Sequence, residues 1–219
     1  MNYYQQLQQA TQSERNVLLA APIIQSALAG QVGRQHYISF LTRAFHHVKH
    51  TVPLLMACGS RLPDQMEWLR KAVAHYIEEE IGHHEWILND IAASGGNADA
   101  VSGSQPDFDT DVMVAYAYDT VMRRNPVGLF GMVYVLEGTS VSLATTVAGK
   151  LQNTLNLPPE AFSYLSSHGA LDIEHIGDFE NVVNRLENPL DRRAVEDSAK
   201  IFFRLYGNVL RSIDSGDSA

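Results

Sequence analysis

The stretch from Val127 to Gly149 constrains this chain most. It is 23 residues long and carries one charge, Glu137. That length of apolar chain is enough to span a bilayer. Yet the stretch also holds Gly128, Gly131, Gly138, Thr139, Ser140, Ser142, Thr145 and Thr146, and no second such segment accompanies it. It reads instead as the central helix of a bundle, apolar all round because it is buried all round. A carboxylate inside such a helix needs a reason. Burying it ionised and unpaired costs several kcal/mol or more. Glu137 is therefore paired with an arginine from a neighbouring helix, protonated, or bound to a metal.

The rest of the chain shows helical periodicity nearly throughout and no alternating strand. A first helix begins at Ser13-Glu14, carries Val17, Leu18, Ala21, Ile24 and Leu28, and is broken by Gly30 and Gly33. A second runs over 35–60 with a kink at Pro53. A third runs from Asp64 to Ala93 and ends at Ser94-Gly95-Gly96-Asn97. Residues 97–109 read as a surface loop. Four more helices follow: 110–124, 126–154, 159–187 and 189–212. The expectation is an all-α bundle of about seven helices in one domain over 1–219, with 1–12 and 213–219 peripheral or disordered.

Composition narrows the function. Charged residues are 19% of the 219 and hydrophobic ones 45%, a globular balance with enough chain for a large core. A formal charge of −9 and no basic stripe speak against nucleic acid as a partner. No membrane partner is expected. Cys58 is the only cysteine, which removes a disulfide framework and suits a reducing cytoplasm. The N-terminal residues have neither a basic flank nor an apolar run, so no signal peptide is expected.

Nine histidines are many for this length, and all but His36 are grouped. His168, Asp172 and His175 stand i, i+4, i+7. At 100° per residue Asp172 lies about 40° to one side of His168, and His175 about 20° to the other. One helix thus offers two imidazoles and a carboxylate along a narrow stripe, a transition-metal pattern. The bland reading is a polar stripe at a helix edge. In Glu78-Glu79-Glu80-Ile81-Gly82-His83-His84, Glu80 and His83 repeat the acid-x-x-His spacing of Asp172 and His175. Glu79, at i, i+4 from His83, is the alternative ligand, and a solvated acidic face is the alternative to both. Two acid-x-x-His units and single acids facing a bundle core are the parts of non-haem di-iron proteins. A further ligand from the second helix has no acid to draw on. His47 is the first choice there, with His50 one turn away and hydrogen bonding to the backbone or to a substrate as the other reading.

These residues resemble the haem-oxygenase-like di-metal oxidases, including the CADD-like proteins, on a fold shared with TenA/THI-4 proteins and PqqC. His168-x3-Asp172-x2-His175 is similar to the family's H-x3-D-x2-H helix, and Glu80-x2-His83 to its central E-x2-H helix. Glu137, in Leu-Glu-Gly-Thr-Ser, is similar to its single Glu. The likeness covers most of 14–212 and departs at the second helix, where the family commonly has a carboxylate and this chain has His46 and His47. It implies a haem-oxygenase-like bundle that binds iron, two ions in the full form, and uses O2 to oxidise a small molecule. The ligands would be Glu80, His83, Glu137, His168, Asp172 and His175, with His47 at the second helix. A mixed pair or a single metal is the alternative at the site, and a homodimer the implied assembly. The rivals on the same fold are a TenA- or PqqC-like hydrolase or cofactor-biosynthesis enzyme working without metal, for which Cys58 is the available nucleophile, and a haem-degrading enzyme. A ferritin-like protein and a non-catalytic small-molecule-binding protein stand outside it.

Overall fold

The structure, a computed structural model, describes the backbone of residues 1–215. It describes their side chains apart from those of 142, 145, 168–176, 214 and 215. Twelve α-helices and three 3₁₀ turns make up the described chain, and it holds no strand. The long helices read from the sequence are there, several of them divided.

Each division has a local cause. The first helix is two, α2 (Gln12–Leu19) and α3 (Pro22–Leu28), because Pro22 takes the first position of α3. The second is also two, α4 (Arg34–Val48) and α5 (Thr51–Arg61), and Pro53 lies in the first turn of α5. Its ring excludes the carbonyl four residues earlier, that of Lys49, so the chain breaks at 49–50 rather than kinking at Pro53 itself. The third divides at Ile81-Gly82 into α6 (Glu67–Glu80) and α7 (His83–Ala93). Gly82 takes φ +90°, a conformation open to a residue without Cβ.

The segment 97–109, read as a loop, contains a short helix, α8 (Ala98–Ser102), capped by the Asn97 side chain. Asp107 then caps α9 (Phe108–Arg123). After the turn Pro126–Gly128 comes α10 (Leu129–Leu155), which ends at Asn156 with φ 50°. The turn Pro159–Phe162 leads into α11 (Ser163–Asn184), and α12 (Pro189–Ser215) closes the bundle.

The ends differ from expectation. Residues 3–10 are an ordered helix, α1 (Tyr3–Ala10), closed by a capping box between Asn2 and Gln5. Tyr3, Tyr4 and Leu7 are buried, and the Tyr3 hydroxyl donates to the Arg192 carbonyl at 2.5 Å. Burial of these rings anchors what sequence position alone suggested was peripheral. At the other end α12 runs on to Ser215, and Ile213 is fully buried.

As its composition requires, α10 is central, packed against α11, α12 and α3. Gly131 is the closest approach. A Cβ there would sit 2.6 Å from both the Ala199 nitrogen and the Val195 oxygen, backbone atoms of α12. Tyr134 of α10 stacks on Phe179 of α11, with centroids 5.6 Å apart, and meets Phe203 of α12 edge-on. Among the described residues no single helix is both long and apolar enough to cross a membrane.

Candidate metal centre

The bundle brings the sequence candidates from α4, α6 and α10 to one interior cavity of about 180 Å³, lined by His47, Glu80 and Glu137 among others. Glu137 enters from the middle of α10 and is 9% exposed; His47, near the end of α4, is 4% exposed. Val48 lines the cavity beside His47, whereas His46 turns elsewhere. His46 Nε2 pairs with Ser104 Oγ at 2.9 Å and its Nδ1 with Lys49 Nζ at 3.2 Å. His50 Nδ1 pairs with Tyr118 at 3.1 Å. Burial, and then the Lys49 charge, hold both of these imidazoles below their ordinary pKa. Of the three histidines, only His47 lines the cavity.

Glu80 and His83 do not share one helix, as the spacing predicts. Glu80 is the last residue of α6 and His83 the first of α7. They meet across Gly82, with Glu80 Oε2 3.1 Å from His83 Nδ1. Both side chains are nearly closed to solvent. The carboxylate fixes the ring through Nδ1, and the ring packs on Trp86 at 4.2 Å. Glu79 does not line the cavity and lies 3.4 Å from His75 Nε2. His84 lies against Phe45 and does not line the cavity.

The side chains of His168, Asp172 and His175 lie outside the described residues. Their helix does not: α11 packs against α10 and α7, the helices of Glu137 and His83. Its start is fixed by Asp90 of α7, fully buried. Asp90 accepts from the Ser163 backbone N–H at 3.1 Å, the Tyr164 N–H at 2.9 Å and the Ser163 hydroxyl. Asp90 follows His83 by seven residues, so the two share a face of α7.

Four tyrosines at the cavity are not among the sequence candidates: Tyr37, Tyr76, Tyr164 and Tyr206. Tyr76 precedes Glu80 by one turn, and that spacing is the signal that could have found it. Burial pushes its phenol far up, and the charges of Glu137, Asp178, Glu79 and Glu80 push it further, so it keeps its proton. Burial also pushes Tyr206 up to about 12, and its ring meets His47 edge-on at 5.9 Å.

Oxygen and nitrogen donors beside a largely apolar cavity fit iron chemically. Among the described residues no three His, Cys, Asp or Glu side chains form a metal-holding group by themselves. Cys58 takes no part. It is fully buried, donates to the Pro126 carbonyl at 3.3 Å, and burial pushes its thiol up to about 12.

No curated protein matches this chain. Similar structures are known. A domain of unknown function with a haem-oxygenase-like fold, from Shewanella denitrificans OS217, superposes with a TM-score of 0.86 at 23% identity. That match covers 99% of this chain and 93% of the other. A TenA homologue from Pseudomonas syringae pv. tomato DC3000 gives 0.80 at 11% identity, covering 97% and 93%. A CADD-like protein of unknown function from Nostoc punctiforme PCC 73102 gives 0.74 at 14%, covering 98% and 100%. These likenesses establish the haem-oxygenase-like fold that the motifs imply. Residues 38–207 match the model of a haem-oxygenase-like family described as iron-containing redox enzymes, and the chain belongs to that family.

Proposed function

We propose that this protein is an iron-dependent oxidase or oxygenase that uses O2 on a small molecule held in the cavity beside Glu80 and Glu137. The observation that carries the reading is the convergence of two carboxylates from separate helices on one largely apolar cavity. Like charges brought together in a low-dielectric site raise each other's cost, and a cation between them relieves it.

Glu80, His83, Glu137, His168, Asp172 and His175 would hold the iron, with His47 facing the same space. Because the described donors alone do not form a metal-holding group, the reading requires α11 to complete the site. Bound iron supplies the electrons that O2 activation needs. The chain's own residues do the rest. The Glu80–His83 bond sets the ring orientation before metal arrives, which raises the ligand's basicity. Asp90 holds the start of α11 against α7. Tyr76, kept protonated, is a neutral hydrogen-bonding group among acids. The apolar walls formed by Leu136, Leu143 and Val147 exclude water and so strengthen each electrostatic contact inside.

The metal-free hydrolase needs a reactive thiol at the cavity. Cys58 is buried, does not line it, and has a thiol pushed up to about 12, so this reading is disfavoured. The test is O2 uptake by Fe(II)-loaded protein, compared with Glu137→Gln. Uptake that depends on iron and falls in the variant supports the proposal. Equal metal binding and uptake in both would make Glu137 a structural acid.

A further inference from the structure

We infer that the protein carries a second small-molecule site, a groove that takes a zwitterion with an apolar body, the chemistry of a free apolar amino acid or a short peptide. The inference does not rest on the oxidase reading.

The groove forms where three connections meet: the one from α5 to α6, the turn before α10, and the one from α11 to α12. It shares no lining residue with the cavity of Glu80 and Glu137. Its volume is about 570 Å³. A cavity of about 150 Å³ holds benzene, so the groove has room for roughly twenty non-hydrogen atoms. Leu62, Val127 and Leu186 are buried and give it an apolar surface.

Four charged side chains line the groove, two of each sign: Arg61, Arg185, Glu187 and Asp191. Among the described residues no ion pair joins either arginine to either acid. Three of the four are held by contacts of another kind. The Arg185 guanidinium lies 4.2 Å from the centroid of the Trp68 ring, which orients it without neutralising it. Arg61 Nη1 donates to the carbonyls of Val121 and Arg124, the latter at 3.1 Å. Asp191 accepts from Asn125 Nδ2 at 2.7 Å. Glu187 is exposed. Opposite charges that share a groove are thus kept apart rather than closed on one another.

Such a groove selects by sign. A simple anion gains from the arginines and loses to the acids, and a simple cation does the reverse. A molecule that carries both charges gains from both pairs. Arg185 makes no hydrogen bond to another side chain among the described residues, so its planar fork of donors is open to a carboxylate. Glu187 is the acceptor open to an ammonium group. An apolar side chain between the two heads covers Leu62, Val127 and Leu186, and water leaves that surface.

The experiment is calorimetric titration of the whole chain with L-leucyl-L-leucine and L-leucine. Two controls each remove one charge: N-acetyl-leucyl-leucine lacks the ammonium, and leucyl-leucine amide lacks the carboxylate. The expected result is saturable binding of at least one zwitterion, with each dipeptide control roughly tenfold or more weaker than the dipeptide. Whichever of the two zwitterions binds tighter tells whether the groove prefers a peptide or a single amino acid. Arg185→Gln should weaken the zwitterion by roughly tenfold or more and remove its advantage over the amide. Glu187→Gln should remove its advantage over the acetylated form, and it serves by itself if Arg185→Gln does not fold by circular dichroism. No saturable binding of either zwitterion up to about 10 mM overturns the inference. So do controls that bind as tightly as the zwitterion, and so does zwitterion binding that neither variant weakens, which would place the ligand outside the groove.

Discussion

Glu80 and His83 meet at 3.1 Å across a break between two helices. Their i, i+3 spacing suggests neighbours on one continuous helix, yet the pair is made by the turn at Gly82. Replacing Glu80 with Gln removes the charge that orients the ring and, on the present account, a ligand. Iron affinity should fall by about 10–100-fold or more. Glu79→Gln should leave it unchanged, because Glu79 pairs with His75 away from the cavity. Iron affinities from competition with a chromophoric chelator check both. Equal losses in the two variants would contradict the assignment of Glu80.

Gly82 supplies a sharper test of the break. Its φ of +90° is strained for any residue with a Cβ, and a Cβ added there would meet nothing within 4 Å. Any cost of Gly82→Ala is therefore conformational rather than steric. About 1–2 kcal/mol is expected in urea unfolding. Iron affinity should fall as well, because a straightened or shifted turn moves His83 relative to Glu80. A variant with unaltered stability and iron binding would mean the turn is not what sets the pair.

Asp90 should be a second sensitive position, distant from the cavity in role but tied to α11. Asp90→Ala leaves the buried N–H groups of Ser163 and Tyr164 without their acceptor, at an expected cost of about 3 kcal/mol. The pH dependence has a defined sign. Burial raises the Asp90 carboxyl above its ordinary value of 3.8, against the hydrogen bonds from Ser163 and Tyr164 that lower it. A raised folded-state pKa means that the stabilising contribution is complete below the unfolded value. It is lost as pH rises through the folded value. Asp90→Asn cannot titrate, so the stability of the wild type relative to Asp90→Asn should decline over that window. Chemical denaturation at a series of acid pH values measures the difference. A relative stability that grows with pH would contradict it.

Cys58 is expected to be inert. With its thiol pushed up to about 12 and no exposure, it should resist thiol reagents until the protein unfolds. Cys58→Ser should retain iron binding and iron-dependent O2 uptake. Loss of activity with the fold intact would revive the thiol-dependent hydrolase.

The legible part of this molecule is the part set by local chemistry. The apolar run at 127–149 foretells a buried α10. Pro53 marks a defect in the second helix, but the break falls at Lys49-His50, because the clash acts four residues back. Pro22, at the head of α3, divides a helix that apolar periodicity alone would join. The ordering of α1 depends on where Tyr3 and Tyr4 find partners in α11 and α12, a tertiary fact invisible in eight polar-looking residues. At the site, spacing singles out Glu80 and His83, but only packing separates His47 from His46 and His50. Tyr37, Tyr76, Tyr164 and Tyr206 look like ordinary core aromatics until the cavity gives them a common neighbour.

The most direct measurement is anaerobic Fe(II) titration of metal-free protein, repeated with His175→Ala and followed by rapid mixing with O2. The account predicts saturable binding approaching about two irons per chain, as two acid-x-x-His units provide for. It also predicts O2 consumption that scales with bound iron and loss of both in the variant. No iron bound above background, or full stoichiometry retained by His175→Ala, would contradict it.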